Sequence, residues 1–298
     1  MSVIPVLLPA TIPGVSARVR RGLQHFYRLM SNISPSLAAR LALTLFTVPS
    51  RSAARRAERL VLARAERTRV HVGQQWLRVF HWPGRGPTIL LAHGWSSRAA
   101  RLALLADGLV EAGFRVIAFD APGHGASTGF RSNVLLYREA LRAVLERMGP
   151  VHAIVGHSLG ARVSMLMMRT AATPDVRAVA LLGIPPDVGY MFEQFKLVLE
   201  LRQDVCRLLH LEFERHFGGA PDVHSPSDAT CLQLPVLVMH DQDDEVAPVD
   251  HARSLAAQLP CGTLHLTRNL QHCGLLTDPA AIGVVVKFMR RHCLQRSP

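Results

Sequence analysis

The stretch that decides the fold is Val151-His152-Ala153-Ile154-Val155-Gly156-His157-Ser158-Leu159-Gly160-Ala161. Its first half is a short apolar run, Val151–Val155, of the length of a buried strand. Its second half is G-x-S-x-G and leads into a helical pattern over 159–171. A strand that turns this sharply into a helix holds Ser158 in a strained backbone conformation with its hydroxyl exposed. Gly156 and Gly160 supply positions without the side chains that would collide there. The first turn of the following helix aims unpaired N–H groups and its positive dipole end at the same point. A glycine-rich turn with no function has the same local spelling, so the weight of the motif comes from its place at the end of a strand.

Outward from this turn, strands and helices alternate. Apolar runs at Thr88–Ala92, Arg115–Phe119, Val176–Leu182, Val236–Met239 and Thr263–Leu266 read as strands. Helical patterns lie near 97–112, 131–147, 249–258 and 278–292. Such alternation implies an α/β fold, a mostly parallel sheet with helices on both faces. Before it, Thr68–Val72 and Gln75–Trp82 alternate around Gly73 as a hairpin, ended by Pro83-Gly84. Between Gly183 and Leu234 the sequence is helical and amphipathic without a strand, which marks a helical insertion over about 186–230.

A serine nucleophile needs a base, an acid that orients the base, and donors for an oxyanion. Candidates follow in order. Ala92-His93-Gly94-Trp95 ends an earlier strand, where the Trp95 amide can join the Leu159 amide as an oxyanion hole. His240-Asp241-Gln242-Asp243-Asp244-Glu245-Val246-Ala247-Pro248 leaves a later strand with four acids in one loop, of which one can orient a histidine. Gln271-His272 follows the last strand.

Taken together, AHGW at 92–95, FDAPGHGAS at 119–127, GHSLG at 156–160, HDQDDEVAP at 240–248 and QH at 271–272 resemble the α/β-hydrolase superfamily over residues 70–295. The resemblance implies a triad of Ser158, Asp244 and His272. Asp244 is the acid because it lies four residues after the strand-end His240 and four before Pro248, as the family's aspartate does. Asp187 occupies the site of a minority arrangement. Two departures stand out: Asp241 where glycine is common, adding negative charge beside the triad, and Gln271 where glycine often precedes the histidine. A serine nucleophile separates this chain from the dehalogenase and epoxide hydrolase branches, which use aspartate. His93, His124 and His157 each belong to one of these motifs, so no metal and no other cofactor is expected. The insertion falls where the family carries its lid, with Tyr190, Met191, Phe192 and Phe195 as an apolar lining for a substrate pocket.

The expected function is hydrolysis of carboxylic esters or thioesters through an acyl-enzyme. Peptidase, C–C hydrolase and acyltransferase chemistry share the same site, and a non-catalytic, membrane-associated protein of this fold is the reading from another class. With 298 residues, 49% hydrophobic and 19% charged, the chain has ample material for a core and is neither disordered nor a coiled coil. Its net charge of +12 is concentrated: residues 1–70 hold twelve arginines and two glutamates, and the rest is nearly neutral. No nucleic-acid-reading motif accompanies these arginines, so no nucleic-acid partner is expected. Residues 16–66 read as basic, apolar-striped helices, with Ser34-Pro35 starting one, Pro49 stopping it, and a third from near Ser52 to Ala65. They form an N-terminal extension, 1–66, ahead of a hydrolase domain, 67–298, and are candidates for packing, for a homodimer contact or for peripheral membrane contact. The uncharged arm at 1–15, interrupted by Pro5, Pro9 and Pro13, reads as an arm and not as a signal peptide. Five cysteines without a CxxC pair fit reduced thiols of a cytoplasmic protein.

Overall fold

Eight strands form one sheet: β1 (Glu66–Val72), β2 (Gln75–Trp82), β3 (Thr88–Ala92), β4 (Arg115–Phe119), β5 (Ala153–His157), β6 (Ala178–Leu182), β7 (Val236–Asp241) and β8 (Gly262–Thr267). In this computed structural model the described residues are 17–51, 55–170, 175–217 and 232–294. The strand order is β1-β2-β4-β3-β5-β6-β7-β8. β2 pairs antiparallel with β1 and β4, and every other pair is parallel. β3, β5 and β6 are buried along their whole length, as strands covered on both faces must be. The chain leaves β3 for β4 on one side and arrives at β5 on the other. The carboxyl ends of β3 and β5 therefore flank a topological switch point, where open α/β sheets bind ligands. The expected strand at 151–155 sits two residues later, so that His157 is still in the sheet and Ser158 is the first residue beyond it.

The chain divides into two compact units, one of residues 49–186 and 226–298, the other of residues 1–48 and 187–225. The first contains the sheet with α3 (Arg56–Ala63), α4 (Ala103–Glu111), α5 (Val134–Arg147), α6 (Leu159–Thr170), α9 (Val249–Gln258), α10 (Gln271–Gly274) and α11 (Pro279–Met289). The division after Val48 differs from the boundary expected after residue 66, for a physical reason. The Trp82 indole donates to Val61 O at 3.1 Å, Arg101 pairs with Glu58 at 2.9 Å, and Val61 and Ala65 enter the same core as Phe80 and Leu102. The third N-terminal helix thus belongs to the sheet unit.

The second unit consists of α1 (Ala17–Ile33), α2 (Pro35–Thr47), α7 (Val188–Val198) and α8 (Gln203–Phe217). Ser34 caps α2 by accepting from Leu37 N, with Pro35 in the first turn, as its sequence predicts. Ala38, Ala39 and Ala42, all fully buried, make α2 narrow on the side that packs in the unit's core with Phe192, Leu199, Val205, Leu209 and Phe213. The first two N-terminal helices and the insertion therefore share one hydrophobic core, though about 170 residues separate them in sequence. The last part of the insertion, 218–230, and the N-terminal arm lie outside the described residues. No helix among the described residues is long and apolar enough to cross a membrane.

Candidate active site

Ser158 has φ +54°, the left-handed region that a non-glycine residue occupies only when its surroundings enforce it. The surroundings are visible. Ser158 N donates to Leu182 O at 2.9 Å, which ties the turn to the end of β6. A Cβ at Gly160 would fall 2.2 Å from Ala92 O, and one at Gly156 2.5 Å from Ala161 Cα, both against backbone that has no room to yield. Both glycines of the motif are thus fixed by close approach of backbone. The turn is clamped between β3 and the start of α6 with the serine at its tip.

The loop after β3 lies directly against this tip. A Cβ on Gly94 would be 3.0 Å from Ser158 Cβ. Trp95 comes next, and its N–H has no partner among the described residues. Leu159 is the first residue of α6, so its N–H has no partner within the helix. The loop after β3 and the start of α6 thus both adjoin the serine. The loop is held by neutral histidines. His93 is fully buried, its Nδ1 donating to Gly94 O at 2.8 Å and its Nε2 accepting from Ala121 N at 3.0 Å. His124 donates from Nδ1 to Pro122 O at 2.9 Å and accepts from Ser96 N at 3.2 Å. Burial pushes the His93 pKa well below its ordinary value and that of His124 down to about 4. Asp120 accepts from Ala99 N and Ala126 N, both at 2.8 Å, and so couples the 119–127 motif to the same loop.

His272 occupies α10, a single turn of helix. Its Nδ1 is 2.8 Å from Asp244 Oδ2. A carboxylate only accepts, so Nδ1 is the donor, and in the neutral ring Nε2 is the nitrogen with the free lone pair. The other Asp244 oxygen accepts from Val246 N at 2.7 Å and Ala247 N at 3.0 Å. Burial disfavours the Asp244 charge, but the His272 bond and these two N–H groups outweigh it and hold its pKa below the ordinary carboxylate value. His157, next to Ser158, donates from Nε2 to His272 O at 2.9 Å, and the two rings lie 4.8 Å apart. That bond fixes the histidine-bearing turn to the serine-bearing turn. Burial, with the nearby His272 imidazole, lowers His157 to about 3, so it acts as a neutral donor.

Asp241, a departure from the family pattern, does not touch the His272 ring. Its carboxylate accepts from Asp243 N (3.0 Å), Gln271 N (2.9 Å), Leu270 N (3.1 Å) and Thr267 Oγ1 (2.6 Å). These bonds overcome the cost of burial and keep its pKa low. They also explain Gln271, whose φ of +54° is the conformation that favours glycine. The carboxylate holds a residue there that would otherwise relax. Local spelling did not reveal this role, because three of the four partners lie 26 to 30 residues away. Nor did it reveal Gly183 (φ +55°), where a Cβ would sit 3.2 Å from His272 Nδ1 and Cε1. The turn after Gly183 is held by the buried Arg162 guanidinium, which donates to Pro185 O and Pro186 O.

Asp187 caps α7, accepting from Tyr190 N at 2.5 Å. The expected pocket residues are placed differently from one another. Phe192 is fully buried in the core of the helical unit, edge-to-face with Phe46 at 5.0 Å, Phe213 at 5.3 Å and His210 at 4.9 Å. It is core material there, enclosed by its aromatic partners. Phe195 is half-buried against Phe46 at 5.1 Å, and Tyr190 and Met191 are half-buried.

A sheet of this order with a strained serine at its switch point defines the class, and comparison with known proteins agrees. Residues 87–205 match the family model described as alpha/beta hydrolase fold. A bifunctional esterase/perhydrolase of Acinetobacter calcoaceticus is 32% identical over 224 residues, 59% of this chain and 81% of that protein. A pimeloyl-acyl-carrier-protein methyl ester esterase of Vibrio atlanticus is 26% identical over 256 residues, 71% of this chain and 98% of that protein. Among solved structures, an esterase of Pyrococcus furiosus superposes with a TM-score of 0.66 at 16% identity, covering 83% of this chain and 98% of its own. The chain belongs to the α/β-hydrolase superfamily, and it is a hydrolase.

Proposed function

We propose that this hydrolase cleaves carboxylic esters or thioesters of small molecules through an acyl-enzyme, with Ser158 as nucleophile, His272 as general base and Asp244 as the orienting acid. The observation that carries the reading is the 2.8 Å Asp244–His272 pair, locked by the His272 carbonyl to the residue beside the strained Ser158. His272 Nε2 takes the Ser158 proton as Oγ bonds to the acyl carbon. The tetrahedral oxyanion is met by the N–H groups of Trp95 and Leu159. The same imidazolium protonates the leaving alcohol or thiol, and water then releases the acid by the reverse route. Ester substrates are supported by relatives named as esterases in Acinetobacter and Vibrio. Cys206, Cys261, Cys273 and Cys293 are free thiols, which fits a reducing cytoplasm.

A fluorophosphonate probe tests the site without a known substrate. The wild-type protein is expected to label at Ser158 and to turn over short p-nitrophenyl esters. Ser158→Ala is expected to lose the label and about 10⁴–10⁶-fold in kcat. Undiminished turnover by folded Ser158→Ala overturns the assignment.

A further inference from the structure

Helix α1 carries two apolar faces. Leu23, Tyr27 and Met30 turn into the core of their own unit. Val19, Phe26, Leu29 and Ile33 do not: they are 54%, 42%, 50% and 77% exposed, and Leu37 in the next helix is 44% exposed. Their spacing of seven, three and four residues places the four on one continuous stripe, about 21 Å long at the helical rise. At 3.6 residues per turn, Arg18 and His25 border that stripe, Arg21 and Arg28 lie further round the helix on the same side, and all four are exposed. Neither α1 nor the sixteen residues before it contains an acidic residue. An ordinary solvated helix face carries both signs of charge and seldom leaves a row of large apolar side chains in water.

Charge decides between occupants. A second copy of this face would bring arginines against arginines. A surface of phosphates complements them, while the apolar row enters the boundary between headgroups and acyl chains. Arg28, further round the helix, pairs with Glu200 of its own unit at 3.2 Å. We propose that α1 is a docking surface for an anionic lipid bilayer, with Val19, Phe26, Leu29 and Ile33 inserted and Arg18 and Arg21 reaching the phosphates.

Flotation of the full chain with phosphatidylcholine vesicles, with and without phosphatidylglycerol, tests this. The wild type is expected to float with the anionic vesicles at low salt and to be released by high salt. Arg18→Glu with Arg21→Glu is expected to weaken flotation at least about tenfold, as is Phe26→Glu with Ile33→Glu. Each is expected to keep its thermal unfolding and its turnover of a short soluble ester. Should the apolar pair fail to fold, the solvent-facing arginine pair decides alone. Three results overturn the proposal. The first is a wild type that ignores anionic vesicles at low salt. The second is flotation unchanged by reversing Arg18 and Arg21. The third is a dimer, dispersed by Phe26→Glu with Ile33→Glu, that binds no vesicle.

Discussion

Asp241 ends β7, Asp244 follows three residues later in the loop, and the two differ in what they accept. Asp244 accepts a hydrogen bond from His272 Nδ1–H; Asp241 accepts only from backbone N–H groups and the Thr267 hydroxyl. Replacing Asp244 with Asn presents an amide donor to Nδ1–H and favours the wrong tautomer, with an expected loss of about 10⁴-fold in kcat. Asp241→Asn leaves the His272 ring bond intact. It puts an NH2 group against donors from 267–271 and costs roughly 1–3 kcal/mol of stability. Its effect on kcat is expected to be smaller than that of Asp244→Asn and to follow loosening of α10. Steady-state kinetics with thermal unfolding on both variants checks the split, and a greater kcat loss in Asp241→Asn contradicts it. The sequence pointed to Asp244 through its distances from His240 and Pro248. It could not reveal the work of Asp241, because a brace is defined by partners that only the fold brings near.

At the scale of elements, apolar stripes in α1 and α2 announce that a face is buried, but not against what. Periodicity is local, whereas the partners of these helices are α7 and α8. Gln24 Nε2 donates to Val198 O at 2.8 Å, and Arg40 pairs with Glu212 at 3.2 Å, across more than 170 positions of sequence. The strands were easier to place because a continuous apolar run already implies cover on both faces, as Thr88–Ala92 shows. The same gap between pattern and partner applies to Phe192: an apolar residue on an inserted helix suits a pocket wall and a core equally. Its burial among Phe46, Phe213 and His210 makes Phe192→Ala a cavity-forming change. Such a change costs roughly 3–5 kcal/mol. Thermal unfolding is expected to register that loss. A stable Phe192→Ala whose acyl-chain preference alone has moved would return the residue to the pocket.

For the whole molecule, the placing of histidines sets the response to acid. His124, His157 and His251 are buried in the sheet unit, and burial drives their pKa values to about 4, about 3 and about 4 from an ordinary 6.5. Their neutrality is structural, since His124 and His157 each use a ring N–H to hold a backbone carbonyl of the site. The motif spellings placed both residues at strand ends, but that they are desolvated there follows only from the packed fold. Between about pH 6.5 and 4 the unfolded chain binds protons that the folded chain refuses, so stability falls as pH drops through that window. Each such histidine contributes on the order of 3–5 kcal/mol, fully present above pH 6.5 and lost on reaching its folded pKa. Asp241 and Asp244 have the same sign in a lower window, since their depressed pKa values withdraw stability only below the ordinary carboxylate value of 3.8. Acid unfolding is therefore expected to begin with the histidines, well before the carboxylates of the site are protonated. Denaturant titrations at a series of pH values check this: the unfolding free energy should fall steadily from pH 6.5 to pH 4.5, at up to about 1.4 kcal/mol per pH unit for each histidine. A free energy that stays level to pH 4.5 and drops only below it would assign acid sensitivity to the carboxylates alone.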